Sequence, residues 1–156
     1  LPVACAQNAN AIALFLGAGT LALERAAMIE IIPRLYLSNW AEAKDPTLLS
    51  LHGITHVVNA HGFALPNQQH LHVLYVDVPD YEDANIDEHF TRVNRFVHSA
   101  RIKGGTVLIH CTAGKSRSVA LALSYLAQKL KMGYGRARER MVEAGADLGE
   151  LNPGFA

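Results

Sequence analysis

One strand, one short loop and one helix follow each other around a cysteine, and this order constrains the fold more than any other feature. Residues 106–109 are apolar and include β-branched side chains, which is typical of a buried strand. Alanine and leucine dominate from Val119 onward and favour a helix. Residues 110–118, with the sequence HCTAGKSRS, lie between them. Such a loop directs backbone N–H groups to one point at the positive end of a helix, which predicts a phosphate-type anion site.

Two side chains in this loop carry the predicted chemistry. Cys111 and Arg117 lie six positions apart. The field that binds an anion also favours a thiolate, so Cys111 is the predicted nucleophile and would form a phosphocysteine. Arg117 has a planar fork that can hold two phosphate oxygens, which lysine lacks.

The other residues of the loop are predicted to support this pair. We expect Gly114 to allow a positive φ or a close backbone approach. Ser118 is expected to donate its hydroxyl to the Cys111 sulfur, and His110 to order the loop by hydrogen bonding to the backbone. The predicted phosphate-binding residues are those with N–H groups that follow the cysteine: Thr112, Ala113, Gly114, Lys115, Ser116 and Arg117.

An acid for the leaving oxygen must come from elsewhere in the chain. Residues 76–83 end a strand at Pro79 and continue into an acidic loop. Asp80 lies just past the strand end, where a carboxyl group can protonate the leaving oxygen and then activate water. Spacing alone leaves Asp77, Glu82 and Asp83 as alternatives.

These residues resemble a known family. The pattern formed by His110, Cys111, Gly114, Arg117 and Ser118 is similar to the signature of the cysteine-dependent protein phosphatases, and its details resemble the dual-specificity branch. Further similarities run in order along the chain, over residues 32–38, 53–59, 84–90 and 152–155.

The resemblance implies a small, atypical dual-specificity phosphatase that acts on phosphotyrosine and on phosphoserine or phosphothreonine in proteins, without a cofactor or a metal. Counting back from Phe90 in the family pattern, it assigns the general acid to Asp80. No segment resembles the tyrosine-recognition loop of the tyrosine-specific enzymes, so a shallower pocket is expected.

Three other functions are weighed against this one. A phosphatase for phosphoinositides or other non-protein phosphates would have the same scaffold, with Lys115 as its only support. A phospho-binding module without catalysis usually lacks the cysteine or the arginine, and this chain has both. Sulfur transfer of the rhodanese type would need no acid loop and would leave Ser118 unexplained.

Composition narrows the partners and the compartment. Half of the 156 residues are hydrophobic and 18% are charged, as in a folded domain. A formal net charge of zero argues against nucleic acid or an anionic membrane as the main partner. The apolar run 11–19 is too short to span a bilayer. Two cysteines, Cys5 and Cys111, predict a reducing compartment, either cytoplasmic or nuclear.

Alternating strand and helix patterns predict an α/β fold, with a central, mostly parallel five-stranded sheet flanked by helices.

Residues 1–28 are interpreted as an extension with a helix over 10–28, and residues 29–156 as the catalytic domain. A metal is not predicted, because His70 and His72 are interpreted as strand-end residues. The predicted strands are 29–32, 35–38, 55–60, 72–78 and 106–110, and the predicted helices are 45–51, 86–102, 117–131 and 135–144.

Overall fold

The computed structural model describes residues 28–149 and 151–155. The strands are β1 (Ile29–Ile32), β2 (Leu35–Ser38), β3 (His56–Asn59), β4 (His72–Tyr75) and β5 (Val107–His110). The α-helices are α1 (Trp40–Ala43), α2 (Pro46–Leu51), α3 (Phe90–Ile102), α4 (Arg117–Ser124) and α5 (Tyr134–Glu143). Single 3₁₀ turns span Pro66–Gln68, Ile86–His89 and Pro153–Phe155, and a π-helical turn spans Tyr125–Lys129.

The sheet has the predicted architecture. Its strand order is β1-β2-β5-β3-β4, with β1 antiparallel to β2 and every other pair parallel. The α/β fold with a mostly parallel five-stranded sheet is therefore confirmed. Because β3, β4 and β5 run in the same direction, the loops that follow them meet at one edge, which is where open α/β sheets bind ligands.

Helices cover both faces of the sheet. Alternate residues of each strand point to opposite sides, so Val58 and Ile109 pack in the core formed with α3 and α4. Val57 and Leu108 face the other way and pack with Leu49 of α2. The central strand β5 is buried along its whole length, so the loop that follows it starts from a rigid position.

Local sequence explains the helix starts. Asp45 caps α2 by accepting hydrogen bonds from the N–H groups of Thr47 and Leu48, with Pro46 at the first helical position. The prediction did not include α1, although Asn39 and Glu42 form a capping box at its start. The three-residue spacing of Asn39 and Glu42 could have been recognised in the sequence.

The helix predicted over 117–131 changes type part-way and ends two residues early, at Lys129. The α-helix ends at Ser124, and the π-helical turn continues the chain, with the Leu130 N–H donating to the Tyr125 carbonyl oxygen. Tyr125 is fully buried, and its hydroxyl accepts a hydrogen bond from Arg101 at 3.0 Å. A tertiary contact of this kind leaves no signal in the local periodicity.

Other boundaries differ by a few residues. The strands predicted over 55–60, 72–78 and 106–110 are each one to three residues shorter in the structure. Gly133, predicted to end the preceding helix, is the residue before α5 and has a φ of 81°. Cys5 and the helix predicted over 10–28 lie outside the described residues, except for Met28, which is buried just before β1.

Candidate active site

The loop 111–116 lies at the carboxyl end of β5 and leads directly into α4. Cys111, its first residue, is only 1% exposed. The neighbouring strand β3 delivers residues 60–63 to the same edge, and the segment after β4 delivers residues 76–80. The fold thus surrounds the predicted nucleophile with the ends of three parallel strands.

The Cys111 sulfur has two hydrogen-bonding neighbours in its own loop. Ser118 Oγ lies 3.2 Å from Cys111 Sγ, and the Gly114 N–H donates to the sulfur at 3.2 Å. When the sulfur is a thiolate, both groups donate to it and stabilise its negative charge. The contact predicted for Ser118 is present.

Gly114 meets both conditions expected of it. Its φ is 74°, a left-handed conformation that side chains rarely adopt. A Cβ atom at this position would lie 2.9 Å from the carbonyl carbon and oxygen of Ser38. The loop therefore packs against the end of β2 at a distance that only glycine allows.

The start of α4 leaves N–H groups available to a ligand. Ser116 is in the N-cap position but makes no side-chain cap, because its hydroxyl donates to Asp80 instead. The N–H groups of Thr112, Ala113 and Ser116 have no hydrogen-bond partner among the described residues. Unpaired N–H groups beside a helix N-terminus suit a bound oxyanion.

Arg117 connects the loop to the segment after β4, just before Asp80. Its guanidinium donates to the Val78 carbonyl oxygen at 3.2 Å and to Thr112 Oγ1 at 2.8 Å. Its buried Nε has no partner among the described residues. The hydrogen bonds to Val78 and Thr112 fix the plane of the guanidinium, and the Nε–H group remains as a donor for a ligand oxygen.

Asp80 is the carboxylate that reaches the loop. Its Oδ1 accepts a hydrogen bond from Ser116 Oγ at 2.8 Å and another from Asn152 Nδ2 at 3.1 Å. The side chains of Asp77, Glu82 and Asp83 are exposed and form no hydrogen bond or ion pair within the described part of the chain. Of these four carboxylates, Asp80 is therefore the one that the described residues hydrogen-bond to the loop.

Asn152 is a site residue whose role the sequence analysis missed. Besides its contact with Asp80, its backbone N–H donates to Ser116 Oγ at 3.1 Å. Its side-chain oxygen accepts from the Gly154 N–H at 3.0 Å, which holds the amide in place. The resemblance covered this region, but a contact across 72 residues has no local signal.

His110 is fully buried beneath the loop. Gln68 Nε2 lies 2.9 Å from His110 Nε2, so a side-chain amide contacts the imidazole in addition to the backbone of Cys111. Burial lowers the pKa of His110 to about 4, the backbone of Cys111 opposes that shift, and the nearby His61 adds to it. The imidazole is therefore neutral at pH 7 and acts as a packed support.

His61 is a second residue that the sequence analysis did not single out. Its Nδ1 lies 3.0 Å from Thr112 Oγ1, which also receives the hydrogen bond from Arg117. Its ring stacks on Trp40, with centroids 5.7 Å apart. Burial and the positive charge of Arg117 both lower the pKa of His61. His61 follows the end of β3, and it lies near the loop because β3 is next to β5 in the sheet. Its proximity to Thr112 could therefore be predicted only with the strand order known.

Lys115 lies on the outer side of the loop. Its ammonium is 3.7 Å from a carboxylate oxygen of Asp147, and both side chains are substantially exposed. The charge that supported a phosphoinositide substrate is thus paired with a carboxylate.

Within residues 28–149 and 151–155, no group of three or more histidine, cysteine, aspartate or glutamate side chains is arranged to hold a metal ion. No helix among these residues has the length and apolar character needed to cross a membrane.

Comparison with known proteins now identifies the family. The model of the dual specificity phosphatase catalytic domain matches residues 35–152. This chain belongs to that family. The matched range contains the loop, Asp80 and Asn152, and it lies within the predicted domain over 29–156.

Individual relatives agree with this assignment. Mouse dual specificity protein phosphatase 15 is 35% identical over 128 residues, which cover 82% of this chain and 54% of the relative. Human dual specificity protein phosphatase 22 is 34% identical, covering 82% of this chain and 69% of the relative. The crystal structure of DUSP15 superposes with a TM-score of 0.73 at 32% identity, covering 82% of this chain and 81% of that one. The chain spans about half the length of the first of these relatives.

Proposed function

We propose that this domain hydrolyses phosphotyrosine, phosphoserine and phosphothreonine in proteins through a phosphocysteine intermediate. The observation that carries the proposal is the 2.8 Å hydrogen bond between Ser116 and Asp80, which ties the candidate acid to the loop of the candidate nucleophile. Membership of the dual specificity phosphatase family supports the same activity.

In the first step, the Cys111 thiolate attacks the phosphorus of the substrate and a sulfur–phosphorus bond forms. The bond between phosphorus and the substrate oxygen breaks, and Asp80 gives its proton to that oxygen. The unpaired N–H groups of the loop and the Arg117 guanidinium hold the other phosphate oxygens. The site requires no metal for this step.

In the second step, water attacks the phosphocysteine. Asp80, now a carboxylate, removes a proton from the water, and the sulfur–phosphorus bond breaks to release phosphate and the thiolate. The Ser118 hydroxyl, 3.2 Å from the sulfur, donates to the departing thiolate. Reaction in a reducing compartment, cytoplasmic or nuclear, would preserve the thiol.

A direct test compares wild-type protein with Cys111→Ser on p-nitrophenyl phosphate in the presence of a chelator. We expect turnover in the wild type and none in the variant. An inactive wild type that is well folded would contradict the catalytic assignment and favour a phospho-binding role. Activity that persists in the variant would place the nucleophile elsewhere.

A second measurement addresses the substrate class. Phosphotyrosine and phosphothreonine peptides of the same sequence are compared with short-chain phosphoinositides. We expect both peptides to be hydrolysed with higher kcat/KM than the lipids, because Lys115 is paired with Asp147. A preference for the lipids would support the alternative function on the same scaffold.

A further inference from the structure

A basic groove lies between α3 and the strands β3 and β4, away from the loop of Cys111. His56 and His72 pair in register on these strands, and their rings stack with centroids 4.7 Å apart. Phe96 of α3 packs edge-on against His56 at 5.6 Å. The groove between these elements is open to solvent and has a volume of about 390 Å³.

The walls of the groove carry positive charge. Arg92, Arg95 and Lys103 line it, and no aspartate or glutamate does. All three cations are exposed, and none forms an ion pair with a carboxylate in the described ranges. Because the whole chain has a formal net charge of zero, this concentration of cations is a local feature of one surface.

Helix geometry explains how the cations converge. Arg92, Phe96 and Lys103 are spaced by four and seven residues, so they lie along one face of α3, with Arg95 beside them. Arg92 is held in place because its guanidinium donates to the Tyr75 carbonyl oxygen at 3.1 Å. The groove therefore combines one hydrogen-bonded cation and two exposed cations with the aromatic ring of Phe96.

The groove is separate from the catalytic loop. His56 and His72 are the first residues of their strands, whereas the loops around Cys111 follow the last residues. Three residues of extended chain between His56 and Asn59 correspond to roughly 10 Å. A ligand in the groove would leave the phosphate loop open.

We propose that this groove binds an acidic peptide segment of a partner protein. Carboxylate side chains complement Arg95 and Lys103, which have no carboxylate of their own, and the peptide's apolar atoms pack on Phe96 and Leu74. An open surface between a helix and an edge strand accommodates an extended chain. Recruitment of a phosphoprotein by this route rests on the proposed function, but the binding itself does not.

The experiment measures fluorescence anisotropy of a labelled hexaglutamate peptide that contains no phosphate. The test variant is Arg95→Glu with Lys103→Glu. The matched control is Lys129→Glu with Arg138→Glu, which changes the net charge equally on another part of the surface. We expect the test variant to bind the peptide at least about 10-fold more weakly and the control within about 2-fold of wild type.

Turnover of p-nitrophenyl phosphate by both variants is measured alongside and should stay within about 2-fold of wild type, because neither pair of residues touches the loop.

Absence of peptide binding to wild type, or equal weakening of peptide binding in the test and control variants, would overturn the proposal. Tighter binding of an oligothymidylate of equal charge would assign the groove to nucleic acid instead. Binding without turnover would preserve this proposal and contradict the proposed function, so the two failures are distinguishable.

Discussion

Asn152 Nδ2 donates a 3.1 Å hydrogen bond to Asp80 Oδ1 from a position 72 residues later in the chain. The same Asp80 oxygen accepts from Ser116, and Oδ2 has no partner among the described residues. One carboxylate oxygen is therefore held by two donors, and the other remains to carry the proton. We therefore infer that Asn152 positions the proposed acid.

Asn152→Asp tests this relationship with almost no change in shape. The new carboxylate can still accept from the Gly154 N–H, but it cannot donate to Asp80 and repels it. We expect kcat on alkyl phosphates to fall by about 10-fold or more, as for a lost hydrogen bond to a charged group. Turnover of p-nitrophenyl phosphate, which needs little acid assistance, should fall less. An equal loss on both substrates would indicate a purely structural role.

Asp80→Asn removes the proton donor while retaining an acceptor for Ser116. We expect the rate on substrates with poor leaving groups to fall by ~10²–10⁴-fold, since general acid catalysis contributes about that much. Asp77→Asn is the matched control, because Asp77 is exposed and its side chain forms no hydrogen bond or ion pair with a described residue. A larger effect from the Asp77 variant would reassign the acid.

Arg117→Lys retains the charge and removes the planar fork. Lysine cannot donate to Val78 and Thr112 while also presenting a donor to phosphate. We expect kcat/KM to fall by roughly 10²–10³-fold, the range seen when one transition-state donor is lost. Steady-state kinetics provides the measurement, with circular dichroism to show that the fold persists. A variant of near-normal activity would contradict the clamp.

Gly114→Ala should destabilise the protein and impair the loop. Its Cβ would combine a positive φ with a 2.9 Å contact to the backbone of Ser38. Gly104→Ala is the control, because its φ of 85° is also positive but nothing lies within 4 Å of the added atom. Both variants should lose about 1 kcal/mol through backbone conformation, and Gly114→Ala should lose more. Urea unfolding compares them, and equal midpoints would argue against the close approach.

The buried His110 predicts a pH dependence of stability. The pKa of His110 in the folded protein, about 4, is below its value of 6.5 in the unfolded chain. As the pH falls, the unfolded chain is therefore protonated at a higher pH than the folded protein. The free energy of unfolding should therefore decrease as the pH falls from about 6.5 towards 4, by up to roughly 3 kcal/mol from this residue. Urea unfolding at several pH values measures the slope. His110→Gln should show a shallower slope, and an unchanged slope would assign the effect to other groups.

Much of the site follows from the sequence because its central part is local. Cys111, Gly114, Arg117 and Ser118 lie within eight residues on one strand–loop–helix unit. A buried strand and the start of a helix fix that unit's geometry, so residue type and spacing suffice to place a nucleophile beside an anion cradle. The alternation of strands and helices likewise determined the class of the sheet.

The contacts around the candidate acid depend on the tertiary structure. Asp80 and Asn152 reach Ser116 across 36 residues on either side, and His61 reaches Thr112 across 51. These contacts depend on the strand order, which brings the ends of β3, β4 and β5 together. Local periodicity reports which residues are buried, but it does not report which distant segments meet. The sequence by itself therefore predicted the nucleophile and its loop, and only the packing of the parallel sheet showed which carboxylate lies against that loop.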